Sequence, residues 1–211
     1  LGSIRIFRRA LRLDKMNVVP IGADLEDLVI IRRGVVYFWN SKAQILEKTF
    51  ELNLGRNPLH QSVAVVGENE LVFGEYASNP ERVALSIYRS TDAGRSWEVA
   101  HRLEAGSSRH VHGCFWDEYE ERVWIAVGDL DGECFVYSAD RNFSDVRRFG
   151  DGTQMWRTVR MFFEPDAVYW AMDSEYDKCF MIKMDRKTRE VEKLSEFPGP
   201  VWYGLRTIDG V

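Results

Sequence analysis

The segment from Ser90 to Trp97, with the sequence STDAGRSW, constrains the fold of this chain more than any other segment. It fills every fixed position of the pattern S-x-D-x-G-x-x-W, and strand-like sequence flanks it on both sides. Ser90 and Asp92 can bond the backbone of their own turn, and Gly94 can adopt a positive φ angle at little steric cost. The segment therefore predicts a tight turn between two antiparallel strands, with Trp97 packed over it.

A four-strand unit recurs along the chain at a spacing of about 40 to 50 residues, which is typical of propeller blades. Each unit consists of short runs rich in aromatic and β-branched residues, separated by turn residues. The units cover 17–54, 58–106, 108–150 and 154–197, and further strand-like sequence lies at 200–211 and 3–9. The sequence predicts an all-β chain, a single β-propeller domain over 1–211 with four-stranded antiparallel blades, about four complete and part of a fifth. Two arrangements stay open: 3–9 completes the fifth blade, or the chain is a partial propeller.

The pattern at 90–97 resembles the Asp-box, or BNR, repeat of sialidase-like β-propellers. In that family the repeat lies at the periphery of the propeller, away from the ligand, so the resemblance implies a structural role for this turn. Segments 138–142 and 185–188 occupy the equivalent place in the next two units. In the first of them Asn142 replaces the glycine, and we expect it to adopt the left-handed conformation, which asparagine tolerates better than most residues.

The mouth of the predicted propeller is the expected ligand site. The first strand of each blade lines the central channel, and the loops before it and after the second strand open on one face. Polar and aromatic residues recur at those positions, among them three of the four histidines, and such convergence is typical of a binding site. The candidate ligand-binding residues are His60, His110, His112, Trp156 and Arg157, and the candidate catalytic residues are Glu75, Asp129, Asp173 and Tyr203.

One use of such a mouth is glycoside hydrolysis. The resemblance to sialidases implies an arginine triad for a substrate carboxylate, a tyrosine nucleophile activated by a glutamate, and an aspartate acid/base. The Arg-Ile-Pro element of that family is not found, because Val19-Pro20-Ile21 lacks the arginine. The residues expected to fill these roles are Arg33, Arg157 and Arg206 for the triad, Tyr203 and Glu75 for the nucleophile pair, and Asp129 for the acid/base.

Two other uses stay open. His110 and His112 lie two apart on one strand, which puts both rings on the same side, and nearby carboxylates can complete a metal site. An H-x-H pair alone does not establish a metal site, so the prediction includes no metal and no cofactor. The third use is binding without chemistry, in which aromatic rings stack on sugars. The rings expected near the mouth are Tyr76, Trp156, Trp202 and Tyr203.

Charge and composition limit the partners. The net charge is −5 over 211 residues, which does not favour nucleic acid or an anionic membrane, because both call for basic patches. No apolar run approaches the roughly 18 to 20 residues of a membrane span. Cys114, Cys134 and Cys179 are too far apart to suggest a disulfide framework or a zinc knuckle. Unpaired cysteines favour the cytoplasm, but the compartment stays unassigned.

The predicted function is glycan recognition or processing at the mouth of a sialidase-like propeller, with a carbohydrate as the partner. The alternative is a non-catalytic scaffold that binds another protein. The sequence contains no G-x-S-x-G elbow and no glycine-rich phosphate loop. Open blade edges in a partial propeller would favour self-association.

Overall fold

The computed structural model describes residues 15–207 and folds them into four separate four-stranded antiparallel sheets. The first two sheets contain β1 (Asn17–Ile21), β2 (Asp27–Arg32), β3 (Val35–Asn40), β4 (Ile45–Glu51), β5 (Ala64–Val65), β6 (Leu71–Gly74), β7 (Leu85–Ser90) and β8 (Glu98–Leu103). The other two contain β9 (His110–Asp117), β10 (Arg122–Gly128), β11 (Cys134–Asp140), β12 (Val146–Gly152), β13 (Met161–Phe163), β14 (Ala167–Ala171), β15 (Cys179–Asp185) and β16 (Val191–Phe197).

Within each sheet the four strands pair in chain order, as in a propeller blade. The described part of the chain contains a single 3₁₀ turn, Gln154–Trp156, and no α-helix. None of it therefore forms a helix long and apolar enough to cross a bilayer. No strand pairing joins the first described sheet to the fourth. The predicted all-β fold with four-stranded blades is confirmed as a partial propeller. The strand predicted at 3–9 lies outside the described residues, and self-association through open edges stays a prediction.

The hydrophobic core lies between neighbouring blades as three clusters. The first and second blades meet around residues such as Ile31 and Tyr88, and the second and third around Ile125. The third and fourth blades meet around Trp124 and Trp170, which are fully buried. Burying one such large apolar side chain contributes about 1.5–3 kcal/mol, so each blade is stabilised chiefly by the blade beside it.

Three predicted first strands differ from the structure. The sequence at 60–66 forms only Ala64–Val65, and that at 156–166 forms only Met161–Phe163. In the second case the Thr158 hydroxyl bonds both the N–H and the carbonyl of Arg160 (3.2 and 2.9 Å), so these backbone groups turn inward instead of pairing with a strand. Residues 201–207 form no strand.

The segment 201–207 lies against the fourth blade instead of beginning a fifth. Its described backbone bond to that blade runs from Val201 N–H to the Met172 carbonyl (3.1 Å). Pro198 and Pro200 precede it and have no N–H to donate to a strand ladder. The segment therefore remains irregular as it passes the inner strands.

The turn between β7 and β8 forms as predicted. The Ser90 hydroxyl oxygen accepts a hydrogen bond from Gly94 N–H (2.8 Å), and Asp92 Oδ1 accepts one from Ser96 N–H (2.8 Å). The Trp97 indole donates to the Gly94 carbonyl (3.1 Å), and Gly94 has a φ of 86°. Side-chain bonds of this kind fix the turn, and the Ala93 N–H also donates to the Asn69 carbonyl, in the connection between β5 and β6 (2.7 Å).

The equivalent turn of the third blade differs from the prediction in one residue. Phe143, with a φ of 56°, takes the left-handed conformation that was expected for Asn142. Asp140 Oδ1 accepts its bond from Asp145 N–H (2.7 Å), five residues on, whereas Asp92 bonds the residue four positions on. The bond of Asp140 therefore spans one residue more, and the left-handed residue lies three positions after the aspartate, whereas Ala93 and Gly94 lie one and two positions after Asp92.

Tyr88 predicts a loss of stability at alkaline pH. Its fully buried ring places the hydroxyl 2.6 Å from Glu75 Oε1, to which it donates. Burial, and then the Glu75 carboxylate, raises the pKa of Tyr88 to about 12 from its usual 10.0. Because the pKa is higher in the folded state, this stabilisation is present below about pH 10 and is lost as the pH rises through about 12.

Urea unfolding from pH 8 to pH 11.5 tests this prediction in the wild type and in Tyr88→Phe. We expect the free energy of unfolding of the wild type to fall by up to about 2 kcal/mol more than that of the variant over this range. Other tyrosines titrate in both proteins and cancel in the difference. A difference that stays constant over this range would contradict the prediction.

Candidate functional site

Loops at one end of the blades enclose a cleft of about 350 Å³, here called the mouth cleft. Tyr76 follows β6, Asp173 follows β14, and Arg157 follows the 3₁₀ turn that precedes the fourth blade. The cleft therefore lies where the sequence places the mouth of the propeller. It is lined by Lys15, Leu59, His60, Tyr76, Arg157, Val159, Asp173, Glu175, Trp202 and Tyr203.

Seven of the nine predicted site residues lie in or beside this cleft. His60, Arg157, Asp173 and Tyr203 line it. The other three are His110, His112 and Asp129, which form a buried cluster beside it, here called the His–Asp triangle. The Tyr76 ring lies 4.2 Å from the His110 ring between centroids and joins the triangle to the cleft. Their roles stay predictions, but the structure brings these side chains together.

Backbone geometry in the third blade positions the triangle. A β-bulge between Ala126 and Val127 shifts the pairing of β10 with β9, so that Gly128 lies opposite His110 and Asp129 follows directly. Gly128 has a φ of 149°, and a Cβ there would lie 2.8 Å from Cys134 Sγ. Bulges often redirect a side chain beside a functional site, and here the bulge and the glycine bring Asp129 to the histidines.

The ligand atoms of the triangle are close together. His110 Nε2 and His112 Nε2 are 3.1 Å apart, and each lies 3.3 Å from Asp129 Oδ1. The opposite ring nitrogens face backbone carbonyls: His110 Nδ1 is 2.9 Å from the Ala77 oxygen, and His112 Nδ1 is 3.1 Å from the Thr158 oxygen. Both histidines are buried, so these contacts fix the orientation of both rings.

Charges around Asp129 favour its ionised form. Burial opposes ionisation, but the imidazoles of His110 and His112 outweigh it and hold the pKa of Asp129 well below its usual value. Arg109 Nη1 lies 3.1 Å from Asp129 Oδ2, and Arg157 Nη2 lies 3.4 Å from Oδ1. Burial also lowers the pKa of His112, which favours its neutral form.

Asp173 has the opposite electrostatic character. Burial raises its pKa, and the opposing charge of Arg157 does not cancel the effect. Arg157 Nε lies 3.6 Å from Asp173 Oδ2. Asp173 Oδ1 and Arg157 Nε are both buried, and within the described chain neither has a hydrogen-bond partner. Arg157 and Asp173 thus line the cleft, and each has one enclosed polar atom without a hydrogen bond among the described residues.

Two predicted residues lie away from the cleft in the core. Trp156 is 7% exposed and packs against Trp170, with ring centroids 5.2 Å apart. Glu75 is 1% exposed and accepts hydrogen bonds from Leu54 N–H, Ser86 N–H and the Tyr88 hydroxyl (2.9, 2.7 and 2.6 Å). Neither side chain lines the mouth cleft, because each is enclosed by its own blade and by the chain that precedes that blade.

The three arginines expected to form a triad are not brought together. Arg157 lines the mouth cleft, whereas Arg33 lines a neighbouring cleft. Arg206 lies along the inner strands and pairs with Glu164, Nη2 to Oε1, at 2.9 Å. The inner strands of the second and fourth blades are short, and 201–207 forms no strand, so the expected register does not hold for Arg206.

Among the residues that sequence reasoning missed, two contact Asp129. Arg109 directly precedes His110, and its position at the start of a first strand was a usable signal. Gln154 donates to the Asp129 carbonyl (3.1 Å) and accepts from the Ser174 hydroxyl (2.9 Å), which links loops of the third and fourth blades. No pattern marks this glutamine, because the 3₁₀ turn that places it follows from tertiary packing.

Comparisons with known proteins support the fold. No protein-family model and no curated protein sequence matches the chain. Similar solved structures include TolB from Acinetobacter baumannii, with a TM-score of 0.55 at 12% identity over 87% of this chain and 44% of that chain. An oligogalacturonate lyase in complex with manganese gives 0.59 at 11% identity over 85% and 52%. A GH74 enzyme from Niastella koreensis gives 0.61 at 14% identity over 84% and 30%.

These neighbours are β-propeller proteins, and at such identities the likeness shows the fold alone. The chain spans about half the length of the lyase, and less of the other two. The comparisons therefore agree with a partial set of blades, and the function has to be argued from the mouth cleft itself.

Proposed function

We propose that the mouth cleft binds and processes a carbohydrate. The observation that carries the proposal is the combination of exposed aromatic rings with unsatisfied polar groups in one cleft. Trp202 and Tyr203 are 58% and 60% exposed, and Asp173 Oδ1 and Arg157 Nε have no hydrogen-bond partner within the described chain. Aromatic rings pack on the apolar faces of sugars, while placed polar groups bond hydroxyls and fix the orientation.

The two aspartates of the site support processing as well as binding. Asp129 has a lowered pKa and Asp173 a raised one, and two carboxyl groups whose environments separate their pKa values are typical of an acid and a base. Asp173 would donate a proton to the leaving oxygen, and ionised Asp129 would stabilise the positive charge that develops on the sugar. Water would then add to the sugar and return a proton to Asp173. Arg157 contacts both side chains and would position them.

Sialidase-type chemistry in particular is less well supported. It needs a tyrosine nucleophile activated by a glutamate, and Glu75 is bonded to Tyr88 in the core. Tyr203 is better suited to stacking, since its exposed ring lies 6.3 Å from the His60 ring. The similar solved structures include a GH74 glycoside hydrolase and an oligogalacturonate lyase, so the propeller scaffold is compatible with carbohydrate chemistry.

A glycan array followed by titration with the best oligosaccharide tests this function. We expect Trp202→Ala to weaken binding by about tenfold or more, because the bound sugar would cover its exposed ring and make it an aromatic anchor. Asp173→Asn should keep most of the binding and lose turnover of that sugar. Tyr176→Ala is the matched control, because Tyr176 is 64% exposed and does not line the cleft.

The proposal would be overturned if the wild type bound no glycan, or if Trp202→Ala and Tyr176→Ala had equal effects on binding. Absence of glycan binding, together with a specific protein partner captured by the wild type and lost with Trp202→Ala, would instead favour the scaffold function.

A further inference from the structure

We infer that His110, His112 and Asp129 form a binding site for a divalent first-row transition-metal ion. The inference goes beyond the proposed carbohydrate function and does not depend on it, because it rests on the triangle alone. All three residues present one ligand atom to a common point, and both histidines are buried. It also revises the prediction from sequence, which included no metal.

The spacing of the ligand atoms fits a coordination sphere. Ligands about 2.0–2.2 Å from a metal, at angles between octahedral and tetrahedral, lie roughly 2.9–3.5 Å from one another. The three separations in the triangle are 3.1, 3.3 and 3.3 Å. Two imidazoles and one carboxylate are ligands that first-row transition metals accept, whereas calcium and magnesium prefer oxygen alone.

The hydrogen bonds of the rings place a proton on each Nδ1, the nitrogen that faces away from Asp129. A backbone carbonyl only accepts, so the contacts from His110 Nδ1 to Ala77 and from His112 Nδ1 to Thr158 place a proton on each Nδ1. With both rings neutral, each Nε2 is a lone pair that faces the Asp129 carboxylate; when no metal is bound, a proton on Nε2 takes the same place and donates to Asp129. Three acceptors meet at one buried point, which is costly unless a cation lies between them. Metal-bound histidines commonly bond a carbonyl through the other nitrogen in this way.

Nearby arginines limit which cations the site can hold. Arg109 contacts Asp129 Oδ2 and leaves Oδ1 facing the histidines, and Arg157 lies 3.4 Å from Oδ1. Their positive charge weakens the affinity for any cation, so binding must come chiefly from the imidazoles. We therefore expect zinc and cobalt to bind and calcium not to bind. The alternative occupant is a single proton shared by the two Nε2 atoms.

Titration of the metal-free protein with zinc chloride and cobalt chloride distinguishes these occupants. The protein is stripped with a chelator, and binding is measured by calorimetry and by cobalt absorption in the visible range. We expect His110→Asn and Asp129→Asn to weaken binding by more than about tenfold, the loss that follows even removal of an outer-shell partner. His101→Asn and His60→Asn are matched controls, since the other two histidines of the chain lie outside the triangle.

A second measurement covers the case in which a variant does not fold. In the wild type, zinc should shift the Nε2 signals of two of the four histidines in nitrogen NMR spectra and leave their Nδ1–H groups protonated. Calcium chloride should leave the same spectrum unchanged. Absence of zinc binding at metal concentrations up to about 100 µM, which excludes any dissociation constant below that value, would overturn the inference. Shifts confined to His60 and His101 would overturn it equally, whatever the result with glycans.

Discussion

Replacement of Asp117 by asparagine is expected to lower the free energy of unfolding by about 3 kcal/mol or more. Asp117 ends β9 and is fully buried. Its two oxygens accept hydrogen bonds from Nη1 and Nη2 of Arg186, at 2.6 and 2.9 Å, and Oδ2 also accepts from the Trp124 indole (3.1 Å). Arg186 comes from the fourth blade, so this bidentate pair joins the third blade to the fourth.

The expected loss comes from the charge that the variant leaves behind. Asparagine keeps the shape of the side chain but is neutral, and the Arg186 guanidinium, with 8% of its side chain exposed, stays buried without its main counter-charge. Glu120 Oε1 lies 3.4 Å from Arg186 Nη1 and offsets part of the cost. Removing one partner of a buried pair is costly for this reason, even where the intact pair contributes little.

A double-mutant cycle with Arg186→Met separates the pair from its surroundings. We expect the double variant to be less destabilised than the sum of the two single variants, because no lone charge remains. Glu192→Gln is the control: it breaks the Lys183–Glu192 contact (3.0 Å), which is largely exposed, and should change stability by less than about 1 kcal/mol. Chemical denaturation is the measurement, and equal losses for Asp117→Asn and Glu192→Gln would contradict the prediction.

The interface between the third and fourth blades also assembles the mouth. Asp129 comes from the third blade and Asp173 from the fourth, and Arg157, which lies between them in the chain, contacts both. The Asp117–Arg186 pair lies at the far end of β9 from His110. The third and fourth blades are therefore joined at both ends of β9: by the Asp117–Arg186 ion pair at one end and by Arg157 at the other.

Local sequence was sufficient for the strands that carry their own signals. The third blade shows this best: the predicted strand 110–117 is β9, with the same limits. The turn after β7 was predictable because its side chains bond its own backbone. Prediction failed for 156–160, where the Thr158 hydroxyl bonds nearby backbone groups. It also failed for 201–207, where the path depends on packing against the fourth blade. Neither cause leaves a periodic signal in the sequence.

The site was predictable in position and less so in composition. Loops at one end of successive blades must face one mouth, and this places Asp129, Arg157 and Asp173 together from strand order alone. Strand order does not show burial. Glu75 has the right place at the end of a second strand, but its side chain turns into the blade, because unpaired donors there attract an acceptor.

Glu75 provides the final test, because the structure and the sequence assign it different roles. We expect Glu75→Ala to lower the free energy of unfolding by about 3 kcal/mol or more, since two backbone N–H groups and one hydroxyl lose their acceptor and each buried unsatisfied group costs about 1–3 kcal/mol. Glu98→Ala, at an exposed position of strand β8, is the control and should change stability by less than about 0.5 kcal/mol.

Glu75→Gln distinguishes a structural role from a catalytic one. The amide keeps one acceptor for Leu54 and Tyr88, but it turns a donor toward Ser86 N–H, so we expect a partial loss of stability. Turnover of the best carbohydrate, measured per folded molecule, should stay close to the wild-type value, since no atom of Glu75 lines the mouth cleft. Wild-type stability combined with lost turnover would reverse the assignment, because only a residue that acts on the substrate would give that result.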